Sequence, residues 1–262
     1  MNVMSIKPAK ILRIDRIAEN TYLLAVELFT HVDSISPFNF FMVWVPRVDE
    51  IPLSVAFVDN NIIYFLFKVK GLGTETLSKM CKGEIVGLKG PLGRGFIVED
   101  YTKSVLVIAG GIGIAPIPFF IYRSKYKKLD VVWGVKRREE LFDLNRFNQD
   151  IGDRYRLFMA TEDCSYGFCG TALERLKNIP LEDYDIILAV GPQPMLKGIC
   201  EYIRNTNLEA YVALETMVKC GIGLCGSCFI RASNKLLCID GPVFRCDEVI
   251  QHLGKTNNSK NI

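Results

Sequence analysis

Cys220, Cys225, Cys228 and Cys238 are arranged as C-x4-C-x2-C, with the fourth cysteine nine residues further on. That is the plant-type spacing for a 2Fe–2S cluster, in which four thiolates hold two irons. Gly221, Gly223 and Gly226 let the loop wrap, because glycine accepts positive φ and lets backbone N–H groups approach the sulfides. Three other readings compete: buried free thiols, a zinc ribbon and a thioredoxin-like C-x-x-C. A ribbon wants a second close pair, yet seven residues separate Cys238 from Cys246. A redox C-x-x-C wants a strand before it and a helix starting on it, which this glycine-rich context does not offer. His31 and His252 are the only histidines, which argues against mixed Cys/His zinc sites and a Rieske centre. Cys246 remains the rival for fourth ligand, since it too lies downstream of the loop.

Glycine turns are the second kind of chemistry-bearing element. The apolar run from Val105 enters Gly110-Gly111-Ile112-Gly113 and then Pro116, a strand, turn and helix start that offers N–H groups and a helix dipole to a phosphate. It is not the standard dinucleotide fingerprint, and a structural tight turn is the plain alternative. A second turn, Gly191-Pro192-Gln193-Pro194-Met195, follows the strand 186–190, with Met195 as either a cavity residue or ordinary helix packing. Two such turns at the C-terminal ends of parallel strands would line one crevice. Earlier in the chain, Pro52-Leu53-Ser54, Leu66-Phe67-Lys68 and Gly71-Leu72-Gly73-Thr74 mark strand ends and a turn feeding a short helix.

The elements that must carry these residues fall into two rhythms. Short strands near 8–17, 21–29, 39–45, 53–58, 61–69 and 84–89 predict a small antiparallel barrel, with a helix over 74–80 capped by Thr74. After residue 101, strands near 104–109, 129–135, 155–160, 185–190 and 209–213 alternate with helices near 115–127, 138–149, 170–177 and 193–205, a parallel α/β pattern. The expected division is 1–100, 101–214, a metal-organised segment at 215–254, and a disordered tail at 255–262.

Composition bounds the rest. With 49% apolar and 23% charged residues among 262, the chain has the balance of an ordinary globular protein. A net charge of +3, dispersed along the chain, argues against nucleic acid as partner. The uncharged run 105–122 contains three glycines and two prolines, which fit a strand, turn and helix start rather than a membrane span. No secretory pattern opens the chain, so a cytoplasmic location is expected, where thiols stay reduced. Cys81 and Cys200 then read as core residues, and Glu139 and Glu140 beside Arg137 and Arg138 as a solvated helix start.

Taken in order, the segments PLS, KVKGLGT, GPLGRGF, AGGIGIAP, TEDCSYGFCG, VGPQPM, ALET, the cysteine loop and CIDGPVF resemble the electron-transfer subunits of class 1B dihydroorotate dehydrogenase, over nearly the whole length. The resemblance implies a ferredoxin reductase-like architecture: an FAD-binding antiparallel β-barrel, a parallel-sheet α/β nucleotide-binding domain and a small C-terminal 2Fe–2S domain. It places Pro52, Leu53, Ser54, Leu66, Phe67, Lys68, Gly73 and Thr74 at FAD-contacting positions, and Cys238 at the fourth ligand position. One departure is Ile51, where the family commonly has an Arg facing the FAD phosphate; Lys68, Lys70, Arg47 and Arg94 are the candidate replacements. Cys164 and Cys169 stand where relatives carry other residues, and the expectation is two ordinary thiols, with a redox pair as the alternative.

By the same resemblance the chain would work with an FMN-containing catalytic subunit, in a heterotetramer, in pyrimidine biosynthesis. Electrons from dihydroorotate would pass through the cluster and FAD to NAD+. No Ser, His and Asp constellation is present or required. NAD is expected over NADP, although Lys136, Arg137 and Arg138 follow a strand end where their charge would attract a 2′-phosphate. The rivals are the equivalent subunit of a sulfur reductase or hydrogenase, a non-enzymatic redox sensor, and a zinc-stabilised binding module.

Overall fold

The computed structural model describes residues 5–30 and 34–253, apart from the side chains of residues 149 and 150. His31 and the tail expected at 255–262 lie outside the described residues. Six strands rich in β-branched and aromatic residues form the first unit: β1 (Lys7–Ala18), β2 (Thr21–Leu28), β3 (Phe40–Val45), β4 (Asp49–Asp59), β5 (Ile62–Lys68) and β6 (Ile85–Leu92). They close in the order β1-β2-β5-β4-β3-β6, each neighbouring pair antiparallel, around Leu24, Phe41, Val43, Val55 and Phe65.

The single helix of the barrel, α1 (Leu72–Lys79), starts earlier than expected and is capped by Gly71 rather than Thr74. Thr74 instead sits in the first turn, where its hydroxyl accepts from Lys70 N (2.9 Å) and Gly71 N (3.2 Å). Those bonds tie the preceding turn down and leave the first-turn amides without intrahelical acceptors. Gly73 is required for packing: a Cβ there would lie 3.0 Å from the Asp49 side chain and 3.3 Å from Ile51 Cδ1.

The second unit consists of β7 (Ser104–Gly110), α2 (Ile117–Arg123), β8 (Lys128–Val135), β9 (Arg156–Thr161), β10 (Phe168–Cys169), α3 (Ala172–Leu176), β11 (Ile186–Val190), α4 (Gln193–Tyr202) and β12 (Glu209–Ala213). β7 and β11 are buried at every residue, as central parallel strands must be. The sheet runs β10-β9-β8-β7-β11-β12, all parallel, so its strand order reverses between β7 and β11. Ligands of open α/β sheets bind at such a switch point.

Two expected helices are corrected. Helix α2 ends at Arg123 because Lys125 N donates to Val98 O (2.7 Å) and Ser124 Oγ accepts from Val98 N (3.2 Å), pulling the chain into an extended contact with 98–100. The segment expected as a helix over 138–149 forms short 3-10 turns at Arg138–Glu140 and Leu144–Arg146 and the start of a third at Gln149–Arg154. The barrel recruits it: Glu19 N donates to Glu139 O (2.8 Å), and buried Glu140 pairs with Lys68 on β5 at 2.5 Å. Glu140 is therefore no solvated helix residue. α2 adds a second tie, with Phe119 edge-on to Phe57 at 5.9 Å between ring centroids.

The C-terminal segment carries a two-residue hairpin, β13 (Phe229–Ile230) with β14 (Lys235–Leu236), then α5 (Leu237–Asp240), β15 (Val243–Arg245) and α6 (Cys246–Leu253). β15 pairs antiparallel with β12 and so extends the second unit's sheet. Cys228, Ile230, Leu237, Phe244 and Val249 share one core with Leu106, Ala189 and Val212 of that sheet. The cysteine segment is thus folded against an existing core. One further expectation fails, since Cys81 is exposed; Cys200 is buried in the core as expected and is joined there to Cys246, α4 to α6. Cys164 and Cys169 are likewise joined.

Candidate functional site

Two cavities and one cysteine cradle lie side by side. The first cavity, about 440 Å³, opens between the ends of β4 and β5 and the start of α1. Pro52, Leu53, Ser54, Leu66, Phe67, Lys68, Gly73 and Thr74 all line it, so the residues singled out from three separate segments converge on one space. Its mixed lining of apolar strand residues and a helix start suits a flat ring system attached to a phosphate. Ile51 lines it too, with Asp49 one pleat away, and no arginine does. Of the candidate replacements for a family Arg, Lys68 and Lys70 reach the cavity; Arg47 and Arg94 do not. Lys68 is already engaged with Glu140, whereas the Lys70 ammonium has no ion-pair partner among the described residues.

The second cavity, about 620 Å³, lies over the switch point. Gly110, Gly111, Gly113, Gly191 and Met195 line it. Pro116 does not; it precedes α2 and sets the direction of that helix. The two turns touch one another. A Cβ on Gly113 would lie 2.5 Å from Val190 O, and one on Gly191 would lie 3.1 Å from Gly110 Cα. Only glycine allows that approach. Met195 packs against Gly110 and Gly191 and also walls the cavity. Lys68, Lys70, Ile112 and Glu215 line both cavities, which makes the two spaces contiguous.

The cradle follows from the glycines of the cysteine loop. Gly221, Gly223 and Gly226 have φ of +73°, +78° and +71°, values that side chains with a Cβ rarely adopt. Cys228 and Cys238 are buried with their sulfurs 3.3 Å apart. Cys220 Sγ accepts from Cys225 N at 3.4 Å, and the exposed Cys225 sulfur lies 3.4 Å from the Ser227 hydroxyl oxygen. The Ser227 hydroxyl and backbone, and then Cys220, bring the Cys225 thiol down to about 6; burial, and then Cys228, push Cys238 up to about 12. Among the described residues no three His, Cys, Asp or Glu side chains are already closed as a metal-holding set. The donors nonetheless suit iron and sulfide: four unpaired thiols on one glycine-rich wrap, whereas Cys246, the rival ligand, is tied to Cys200.

The cradle adjoins the first cavity. Leu237, next to Cys238, and Pro242 both line that cavity, as do Leu214, Thr216 and Val218. Hydrogen bonds from Gly93 N to Cys238 O (3.0 Å) and from Arg94 N to Gly241 O (2.7 Å) join the GPLGRGF loop of the barrel to the CIDGPVF turn. Two segments quoted only for their resemblance therefore meet in space. Sequence reasoning assigned no role to Leu214–Thr216, Leu237 or Pro242. The one available signal was the place of ALET after β12, at the same sheet end as both glycine turns.

Residues 215–250 match the model of the iron-sulfur cluster binding domain of dihydroorotate dehydrogenase B. The chain is 33% identical over 252 residues to the probable dihydroorotate dehydrogenase B (NAD(+)), electron transfer subunit, of Methanocaldococcus jannaschii, covering 94% of this chain and 93% of that protein. It is 34% identical to the dihydroorotate dehydrogenase B (NAD(+)), electron transfer subunit, of Caldanaerobacter subterraneus subsp. tengcongensis, covering 76% of this chain and 80% of the relative. Among solved structures it is similar to a chain described under the NADH-dependent reduced ferredoxin-NADP oxidoreductase, with TM-score 0.79, 26% identity, and 98% and 96% of the two chains covered. The ferredoxin reductase of carbazole 1,9a-dioxygenase shares the fold, with TM-score 0.67 and 17% identity over 78% of this chain and 66% of that one.

Proposed function

The chain belongs to the family of dihydroorotate dehydrogenase B electron transfer subunits, and on that premise we propose that it carries electrons from a dihydroorotate-oxidising subunit through a 2Fe–2S cluster and FAD to NAD+. The observation that carries this reading is contiguity: Leu237, beside Cys238, and Pro242 wall the first cavity, and four residues of that cavity wall the second. When bound, the cluster supplies single-electron transfer, and the flavin joins single-electron steps to hydride exchange with nicotinamide.

In this reading Cys220, Cys225, Cys228 and Cys238 hold the cluster. Pro52, Leu53, Ser54, Leu66 and Phe67 form the bed for the flavin ring. Lys70 and the first-turn amides of α1, including those of Gly73 and Thr74, face its phosphates, with Lys68 held beside them by Glu140. Gly111, Gly113, Gly191 and Met195 seat the nicotinamide nucleotide, NAD rather than NADP. Leu237 and Pro242 keep water from the gap between cradle and flavin bed. Residues 1–100, 101–214 and 215–254 serve as flavin, nucleotide and cluster domains.

No base positioned for carbon-acid chemistry is needed in this chain, because substrate oxidation belongs to the partner. Met217, Ile222, Leu224, Phe229 and Ile239 are exposed on and around the cysteine loop, Leu224 to 81%, and form the docking face for an FMN-containing catalytic subunit, in a heterotetramer in the cytoplasm. No helix among the described residues is long and apolar enough to cross a membrane.

The test is co-expression with a dihydroorotate-oxidising subunit, followed by anaerobic addition of dihydroorotate. The expected results are co-purification, a brown complex with iron, sulfide and FAD in stoichiometric amounts, bleaching only when both subunits are present, and reoxidation by NAD+ in preference to NADP+. Bleaching by the isolated chain, colourless zinc-loaded protein, or pairing only with a hydrogenase or sulfur-reductase subunit would overturn the assignment.

A further inference from the structure

The geometry points to a thiol–disulfide switch at Cys164 and Cys169 that governs how firmly the second cavity is walled; its effect on nucleotide rests on the nicotinamide reading of that cavity. The two cysteines are joined, with Cα atoms 4.3 Å apart, and both are exposed. They close the loop that leaves β9 and returns through β10. At its neck, Thr161 O accepts from both Cys164 N (3.2 Å) and Gly170 N (2.9 Å). The residues just outside the closed ring, Glu162 and Thr171, both line the second cavity.

The loop also fixes the neighbouring strand end. Glu162 N donates to Val135 O and Asp163 N to Lys136 O, each at 3.1 Å, and Val135 and Lys136 are cavity residues. Asp163 Oδ1 accepts from the Ser165 hydroxyl (2.6 Å), whose oxygen accepts from Arg138 N (2.9 Å). The Arg138 guanidinium lies 5.6 Å above the Tyr166 ring. Cys164 has φ of +63°, a conformation that a residue with a Cβ leaves readily once it is no longer held. Residues 163–168 do not themselves line the cavity, but opening the bridge frees them and so loosens the ties that hold Glu162, Val135 and Lys136 in its wall. The other bridge cannot respond in the same way, because Cys200 and Cys246 are 2% and 7% exposed.

The exchange partner is a small-molecule dithiol. Its thiolate attacks one sulfur of the bridge, giving a mixed disulfide and one free cysteine thiolate. Its second thiolate then displaces the other cysteine. The two electrons gained by the cysteines come from the dithiol, which leaves as a cyclic disulfide, and two protons are taken up as both cysteines return to thiols.

The test uses the flavin- and cluster-loaded protein, equilibrated anaerobically over a range of reduced to oxidised dithiothreitol. Alkylation with peptide mapping reads which cysteines have opened, amide hydrogen exchange reads the loop, and equilibrium dialysis reads NAD+ binding. The expected result is opening of Cys164 and Cys169 before Cys200 and Cys246, faster exchange confined to residues 162–170, and affinity for NAD+ lower by roughly fivefold, the lower end of ordinary coupling between sites. The double variant Cys164→Ser, Cys169→Ser should stay in the weak-binding state under all conditions. Failure of the pair to open, or equal NAD+ affinity in both states, would overturn the switch and leave the nicotinamide reading intact. A loop that opens as expected in a protein that binds no nicotinamide nucleotide in either state would support the switch and overturn that reading.

Discussion

Replacing Ile51 with arginine asks whether the first cavity holds a phosphate. Ile51 and Asp49 lie on the same face of β4 and both line the cavity beside the start of α1. An introduced guanidinium would have the phosphate as one partner and the Asp49 carboxylate as the other. A charge-assisted hydrogen bond is worth about 1.5–3 kcal/mol. The ion pair with Asp49 in the flavin-free protein, partly open to solvent, takes back up to about 1 kcal/mol. The net gain is then about 0.5–2 kcal/mol, or roughly 2- to 30-fold in Kd. Loss of the half-buried isoleucine is offset because the arginine stem covers the same apolar surface. Fluorescence titration of the flavin-free Ile51→Arg protein should show that tightening for FAD, declining with added salt, and none for riboflavin, which lacks phosphate. An equal gain for riboflavin, or a change for FAD within twofold, would show that the α1 turn does not face the phosphates. Adding Asp49→Asn to the variant should raise the gain toward the upper figure.

The remaining predictions address the cradle, the switch point and the sheet core. Cys238→Ser should lose iron and sulfide, while Cys246→Ser keeps both and only loosens α6 from α4; the reverse pattern in metal analysis would make Cys246 the ligand. Gly113→Ala must push its new methyl against Val190 O, the carbonyl carbon behind it and Gly191 Cα, all backbone, so it should cost about 1–3 kcal/mol in urea unfolding and reduce NAD+ binding in dialysis. Asp130 is fully buried, and burial alone would push its carboxyl up, yet hydrogen bonds from Arg156 and the Tyr184 hydroxyl and the charge of Lys128 hold it below the usual carboxylate range. Because the folded value lies below the unfolded one, its stabilisation is complete above the unfolded pKa, near 4, and is lost as pH falls through the folded value. Asp130→Asn should therefore lower stability by about 2–3 kcal/mol at neutral pH and flatten the acid limb of a Tm against pH series.

How far the sequence could be read depended on how local each feature is. The cysteine loop was legible because three cysteines and their glycines lie within nine residues. The glycine turns were legible as a pair because parallel strands end on one side, and strand periodicity placed all six barrel strands to within a few residues. What the sequence hid was set by distant contacts. Residues 138–149 carry a helical pattern, but Lys68 and Glu19 of the barrel take up Glu140 and the Glu139 carbonyl and keep the segment in short turns. β15 is a three-residue strand that exists only because β12 offers an edge. The Cys200–Cys246 bridge spans 46 residues, beyond any spacing rule. Leu237 and Pro242 look like ordinary neighbours of a cysteine until the fold turns them toward the first cavity.

The nucleotide sheet ends in β15, three residues long, on one side and in β10, two residues long, on the other, and the barrel has no open edge. A foreign strand laid along β15 or β10 would find no more than two or three backbone pairs before that strand stopped, and the border is lengthened on the β10 side only by residues 156–159 of β9, which β10 does not cover. Association by lengthening a sheet therefore has little backbone to use in this molecule, whether with a stray copy of itself or with a partner subunit. Recognition then falls chiefly to side chains, and a surface written in side chains can be rewritten one residue at a time without disturbing the scaffold that aligns the two cavities and the cradle.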